Sequence, residues 1–177
     1  RIFEDPSRVA GVRDYEPGDA MRRIDWYATA RIGRLQSRIY EPSRSQALVI
    51  ALNIPTDEEV WRSPNPVFLE RAVSLAASIA RWAIENNYAV GLVANGSFPD
   101  APRTIRIGAG NSPEQLNVLL EALAVVTAFT TVEMARALED PANPLPPGST
   151  VVLITALVTE SIEAALRRLR SQGHAVH

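Results

Sequence analysis

Cysteine is absent from this chain, and so is lysine. Without Cys there can be no disulfide, no thiolate nucleophile and no Cys-ligated metal. All 18 basic residues are Arg, a bias that points to coding preference or adaptation to heat. Arg also pairs with carboxylates through two parallel bonds where Lys cannot. Histidine is scarce: only His174 and His177 occur, and no Ser-Gly or carboxylate constellation lies beside them in sequence. That argues against a catalytic or metal-binding role for either. An excess of one charge is missing as well. The formal net charge is −2, so nothing in the bulk electrostatics favours nucleic acid or an anionic membrane as partner. No apolar run approaches the roughly 18–20 residues that span a bilayer. Internal repeats and low-complexity tracts are absent too. Gly108 and Gly110 form a lone pair without the Lys-Ser/Thr of a phosphate loop.

What is present suits one domain of ordinary size. The chain has 177 residues, 46% of them apolar, enough for a core that folds unaided. It starts at Arg1 rather than Met, and we read it as a piece of a longer protein.

Residues 1–10 read as polar and irregular, with Pro6 as a breaker. Gly11–Glu16 alternates as a short strand. Pro17-Gly18 is a turn signal. Asp19 then stands where an N-cap belongs, ahead of a helical turn through Arg22 and Arg23. Arg22 and Asp25 are spaced to pair on that turn. Leu35–Glu41 alternates as a half-buried strand. From Gln46 the pattern changes. Ala47–Leu52 is an unbroken apolar run suited to a central strand, ended by Pro55. Val67–Asn87 is a helix with Phe68, Ala72, Leu75, Ala76, Ile79 and Ala83 on its inner face. Tyr88–Ala94 is a second buried strand, closed by a turn at Asn95-Gly96-Ser97. Arg103–Ile107 is a short strand. Ser112-Pro113-Glu114-Gln115 reads as a capping box opening a helix through Leu116, Leu119, Leu120 and Leu123. A helix over Val132–Leu138 follows Thr130-Thr131. Pro141–Gly148 is a loop, and Thr150–Leu157 is the third buried strand. Thr159 or Ser161 caps a last helix with Ile162, Ala165, Leu166 and Leu169 inward and Gly173 as its stop. Arg167, Arg168 and Arg170 oppose the negative end of that helix's dipole. His174–His177 begins a final strand. Strand and helix thus alternate from Gln46 onward, which predicts an α/β fold with a mainly parallel sheet and helices on both faces. An N-terminal extended arm or hairpin, residues 1–45, precedes the α/β domain of residues 46–177, the two packed as one globular unit.

The densest run of charged and aromatic residues is Arg13–Arg31. It reads Arg-x-Tyr-x-Pro-Gly-Asp-x-x-Arg-x-Ile-Asp-Trp-x-x-x-Ala-Arg, with Arg13, Tyr15, Pro17, Gly18, Asp19, Arg22, Ile24, Asp25, Trp26, Ala30 and Arg31 at its fixed positions. This pattern resembles the signature of the domain of unknown function 58 family. Gly33-Arg34-Leu35 and Tyr40-Glu41 also fit, as does the strand-helix-strand order after Gln46. The resemblance implies a von Willebrand factor A-like, Rossmann-like fold of bacterial origin. It implies a cytoplasmic domain, one whose parent is often membrane-anchored, without direct membrane contact by this segment. It also implies an adaptor role beside a MoxR-type AAA+ ATPase. A shared fold does not by itself fix a function.

Metal-binding von Willebrand A-type domains hold Mg²⁺ with an Asp-x-Ser-x-Ser loop, a Thr and a further Asp, a set of hard oxygen ligands. Set against that pattern, Asn53 stands in place of Asp, and Pro55 and Asp57 replace the two Ser. Thr130 or Thr131 could supply the Thr, and Ala156 takes the place of the last Asp. We therefore expect a degenerate site that holds no metal, and no cofactor.

Three functional readings follow, the last a purely structural role inside a larger protein. The first is a non-enzymatic protein-interaction module. The second is a metal-dependent hydrolase or ligand-binding domain using the sheet edge, with Asp57, Thr130 and Thr131 as ligands, although no base–nucleophile pair is visible. Arg13, Asp19, Arg22, Asp25 and Arg31 form either a recognition patch or a structural knot; Tyr15 and Trp26 are expected to be its apolar anchors. Asp57, Glu58, Glu59 and Trp61 are either a docking loop or a solvated one.

Overall fold

The computed structural model describes residues 4–42, 46–57 and 64–177. The expectations for Glu58, Glu59, Trp61 and the Arg22 side chain fall outside the described residues. The chain divides into two compact units, residues 1–45 and 46–177.

The first unit is an antiparallel ribbon of β1 (Glu4–Asp14) and β2 (Gln36–Pro42), joined through a 3-10 turn at Met21–Arg23 and a helix, α1 (Trp26–Ile32). Where an irregular segment was expected, β1 runs straight through Pro6. A two-stranded ribbon leaves one side of each strand unpaired, and there a missing N–H does little harm. The register also slips between Glu4 and Val9. The Pro17-Gly18 turn forms as expected: Gly18 has φ +113, and the Asp19 amide donates to the Glu16 carbonyl at 3.0 Å. Helix α1 was not anticipated, although both its ends were written in the sequence. Asp25 caps its start by accepting from the Ala28 amide at 3.0 Å, and Gly33 ends it at φ 76. Among the described side chains of β2, Gln36 and Ser37 are buried and Ile39 is exposed, as is Leu35 just before the strand. Polar contacts decide this. The Gln36 amide donates to Thr29 Oγ1 at 3.0 Å, and its side chain donates to Asp14 Oδ1.

The second unit is an α/β layer structure. Its elements are β3 (Ala47–Leu52), α2 (Pro66–Glu85), β4 (Ala89–Phe98), β5 (Ala101–Gly110), α3 (Gln115–Ala124), α4 (Met134–Leu138), β6 (Thr150–Ile154), α5 (Glu160–Ser171) and β7 (Ala175–Val176). The sheet order is β5-β4-β3-β6-β7. All pairs are parallel except β4–β5. Because β3 is central, successive residues enter opposite cores. Leu48, Ile50 and Leu52 pack with Ala76 and Ala80 of α2 and Leu119 of α3. Val49 and Ala51 pack with Met134 and Leu138 of α4 and Ile162 and Leu169 of α5. Ile50, Leu52 and Ile54 are fully buried, each contributing about 1.5–3 kcal/mol of hydrophobic stabilisation.

Four local expectations change. The inner row of α2 is Ala76, Ala80 and Ala83, while Phe68 and Leu75 are half exposed. Small side chains let the helix approach the sheet closely, and the larger ones turn to its flank. Asn95-Gly96-Ser97 is not a turn; β4 continues to Phe98, and the hairpin turns at Pro99-Asp100. A register shift between Ala94 and Ser97 takes up the irregularity there, as a bulge does. The capping box at Ser112 does not form. Helix α3 starts at Gln115, whose side chain instead donates to the carbonyls of Val90 (2.7 Å) and Gly108 (2.9 Å). Asp19 is not a helix cap either, as described below. The α5 expectations hold: Thr159 caps it, Ile162, Ala165 and Leu169 are buried, and Gly173 follows its end at φ +91. Among the described residues no helix is long and apolar enough to cross a membrane.

Candidate functional site

The connection after β3 leads to β4 on one side, and the chain later returns as β6 on the other. The carboxyl ends of β3 and β6 therefore flank a topological switch point, the place where open α/β sheets put ligands. Asn53 follows β3, Asn95 lies within the last part of β4, and Thr155 follows β6. A chain of hydrogen bonds joins them, and two backbone groups set its direction. The Ile54 amide donates to Asn95 Oδ1 at 2.8 Å, so Asn95 Nδ2 faces the Asn53 Oδ1 at 2.9 Å and the Val132 carbonyl at 3.2 Å. Asn53 Nδ2 then donates to Thr155 Oγ1 at 2.9 Å. The Thr155 hydroxyl donates onward to the Leu157 carbonyl and accepts from the Leu157 amide at 3.1 Å. On the far side the Thr131 amide and hydroxyl both donate to the Asn95 carbonyl, at 2.9 and 3.2 Å. Thr131 Oγ1 also meets Thr104 Oγ1 at 2.9 Å.

Asn53 and Asn95 are buried, 6% and 1% exposed, and every member of the network is neutral. A fully satisfied polar network of this kind rigidifies a strand edge, and a gap in it is costly. Its chemistry does not fit Mg²⁺, which asks for carboxylate or water oxygens in near-octahedral geometry. Here the side-chain oxygens of Asn53, Asn95 and Thr155 already accept from neighbouring amides. Among the described residues no group of three or more His, Asp or Glu side chains could hold a metal ion. Of the positions singled out in sequence, Asn53 and Thr131 enter the network. Pro55, Asp57 and Thr130 are half buried nearby in sequence, and Ala156 is exposed.

The signature in the first unit builds a separate knot. Asp19 accepts from the Glu16 amide at 3.1 Å and from Arg13 at 2.7 Å, closing the Pro17-Gly18 turn on itself rather than capping the next helical turn. The backbone explains this, since Ala20 occupies the cap position of that turn. Arg22 and Asp25 do not share a helical turn, because Ile24 between them is extended. Asp25 accepts from Ala28 and pairs with Arg38 at 3.0 Å. Tyr15 is half buried and joins the ribbon through its amide, which donates to the Leu35 carbonyl at 2.9 Å. Trp26, expected to be an anchor, is 63% exposed at the start of α1, with Tyr27 beside it at 81%. Arg31 is exposed in the last turn of α1.

A family model described as "Protein of unknown function DUF58" matches residues 11–177. The chain belongs to the DUF58 family. Among curated proteins it is similar to the uncharacterized protein YeaD of Bacillus subtilis (strain 168), 34% identical over 90 residues. That match covers 51% of this chain and 20% of the relative, so the DUF58 chain matches about a fifth of that protein's length. Among solved structures, the pilus adhesin SpaC from Lactobacillus rhamnosus GG aligns with 64% of this chain and 15% of its own, at 14% identity and TM-score 0.38. A likeness that loose carries no argument.

The electrostatics of the DUF58 signature are local. The carboxyl of Asp19 is held below the usual range, first by the Glu16 amide and then by Arg13. That of Asp25 is lowered first by the Ala28 amide and then by Arg38. A carboxylate with a depressed folded-state value contributes stability that is present above its unfolded value, near 4. That stability is lost as pH falls through the folded value. Carbon-detected NMR titration of both carboxyls should therefore give midpoints below the ordinary Asp range. In Arg13→Gln the midpoint of Asp19 should rise only part of the way, because the Glu16 amide remains. A full return to the ordinary value would show that the ion pair dominates instead.

Sequence reasoning missed Asn95, Thr104 and Thr155 as members of the network. Asn95-Gly96 carries the composition of a turn, and nothing local distinguishes a buried strand Asn from a turn Asn. Thr155 carries no local signal either, since the metal-site pattern places its carboxylate at the next position, Ala156.

Proposed function

We propose that this DUF58 chain is a non-enzymatic protein-interaction module with a von Willebrand factor A-like core, acting with a MoxR-type AAA+ ATPase in protein assembly or maturation. The sheet supports the fold assignment. A central parallel set, an antiparallel edge strand β5 and helices on both faces suit a Rossmann-like domain with its switch point between β3 and β6,. The observation that carries the functional reading is the Asn95–Asn53–Thr155 chain. It occupies the switch point with neutral, mutually satisfied groups, where a metal-binding domain would need carboxylates. A site built this way can hold shape and present a surface, but it offers no charged ligand, base or nucleophile of its own. We read it as a degenerate metal-ion-dependent adhesion site kept for its geometry.

The test is reconstitution. The 177-residue chain, purified and mixed with the MoxR-type ATPase of the same organism, should form a complex that co-elutes in size-exclusion chromatography. Separate elution at micromolar concentrations, with and without nucleotide, would contradict the partnership.

A further inference from the structure

A cleft of about 560 Å³ lies between β5 and α4, lined by Thr104 and Arg106 on the strand and by Val132, Arg136, Asp140 and Asn143 on the other wall. Its size falls within the roughly 300–1,000 Å³ of ligand sites. The cleft shares a wall with the switch-point network, since Thr104 bonds Thr131 and the Val132 carbonyl accepts from Asn95.

The charges in this cleft are unevenly matched. Its two acids are already engaged. Glu139 is bound by Arg168 through two bonds, one of 2.9 Å. Asp140 accepts from the Ala142 amide at 3.0 Å and from Asn143 Nδ2 at 2.9 Å. Its two cations are not so engaged. Arg106 donates to the carbonyls of Ala137 (2.7 Å) and Asn143. Asp140 acts on it only through space, and partial burial disfavours its charge. Arg136 lines the cleft and is exposed. Among the described residues neither arginine has a carboxylate within ion-pair distance. Two carbonyls can orient a guanidinium but cannot neutralise it. The remaining N–H groups of its planar fork suit a carboxylate. Beside this cleft, β5 is the terminal strand of the sheet and pairs only with β4 among the described strands. An unpaired strand edge can accept an extended chain, whose alternate side chains then meet neighbouring pockets.

We propose that the β5–α4 cleft receives the acidic side chain of an extended peptide segment of a partner protein, laid along the free edge of β5 and held by Arg106 and Arg136. The proposal rests on the reading of this chain as a protein-binding module, and it names the chemistry that module recognises.

The test uses a random linear peptide library displayed on phage and selected on the 177-residue chain. Enriched peptides are synthesised, and their affinities are measured by fluorescence anisotropy for the native chain and for Arg106→Gln and Arg136→Glu. We expect enriched peptides to share an Asp or Glu and to bind each variant about tenfold or more weakly, about 1.4 kcal/mol for each factor of ten. Replacing the peptide's acid by its amide should cost as much on the native chain and little more on Arg106→Gln. Because Arg136 is exposed, its variant keeps the test sound if Arg106→Gln loosens the fold. Peptides that bind both variants undiminished would overturn the acidic pocket while leaving the binding-module reading intact. A library that yields no binder would contradict both.

Discussion

Asn95→Ala should lower the stability of the residue 46–177 unit by about 3 kcal/mol, since each buried polar group left without its partner costs about 1–3 kcal/mol. Three groups lose one: the Ile54 amide, the Asn53 Oδ1 and the Val132 carbonyl. Water entering the vacated space recovers part of the loss, which keeps the figure below the sum. In a chain of this size the midpoint of thermal unfolding should fall by about 6–12 °C. Asn95→Asp should be worse at neutral pH, because it turns a donor into a charged acceptor facing Asn53 Oδ1. Burial would raise the folded-state value of the new carboxyl, so its penalty should grow as pH rises through the unfolded value, near 4. Thermal melts of the two variants across pH would separate these effects. A loss below about 1 kcal/mol for Asn95→Ala would mean the network is slack, since fully exposed polar changes fall within about 0.5 kcal/mol.

Gly91→Ala should destabilise the same unit by about 2–3 kcal/mol, the upper part of the roughly 1–3 kcal/mol typical of forcing extra carbon into a packed core. A Cβ at Gly91 would stand 2.9 Å from the Ile107 carbonyl oxygen and 3.0 Å from the Ala109 amide nitrogen. Both are backbone atoms of β5, so no side chain can swing aside, and the β4–β5 hairpin must open. Gly108→Ala makes a matched control on the partner strand. Nothing lies within 4 Å of a Cβ there, and the change should stay within about 0.5 kcal/mol. Urea unfolding measures both. Amide hydrogen exchange along β5 should accelerate in Gly91→Ala alone.

The larger frame of this molecule is legible in its sequence because burial on both faces leaves a strong mark. Ala47–Leu52 and Val151–Ile154 are apolar at every position, which only covered central strands require. The last helix is legible for the same kind of reason: Thr159, the apolar spacing from Ile162 to Leu169, and Gly173 all agree. Composition misleads wherever tertiary contacts outweigh it. Helix α2 turns its alanines inward because close approach to the sheet is worth more than the area of Phe68 and Leu75. Gln36 is buried on β2 because Thr29 and Asp14 satisfy it. At the candidate site the pattern is similar. Asn53 could be named from its place after a strand, and Thr131 from its place in the loop ahead of α4. Their partners could not, because Asn95, Thr104 and Thr155 are brought in from separate segments of chain. The signature from Arg13 to Arg31 identifies the family, and two of its carboxylates are engaged locally: Asp19 by its own turn and Arg13, Asp25 by its own helix and Arg38.

Titration with Mg²⁺ and Mn²⁺ tests the central claim, that neutral side chains fill the switch point and leave it a shaped surface rather than a metal centre. The measurement is isothermal calorimetry on the purified chain, with the side-chain amide resonances of Asn53 and Asn95 followed by NMR. No saturable heat at micromolar metal and no displacement of either amide by Mg²⁺ are expected. Saturable micromolar binding that shifts both amides would contradict the claim.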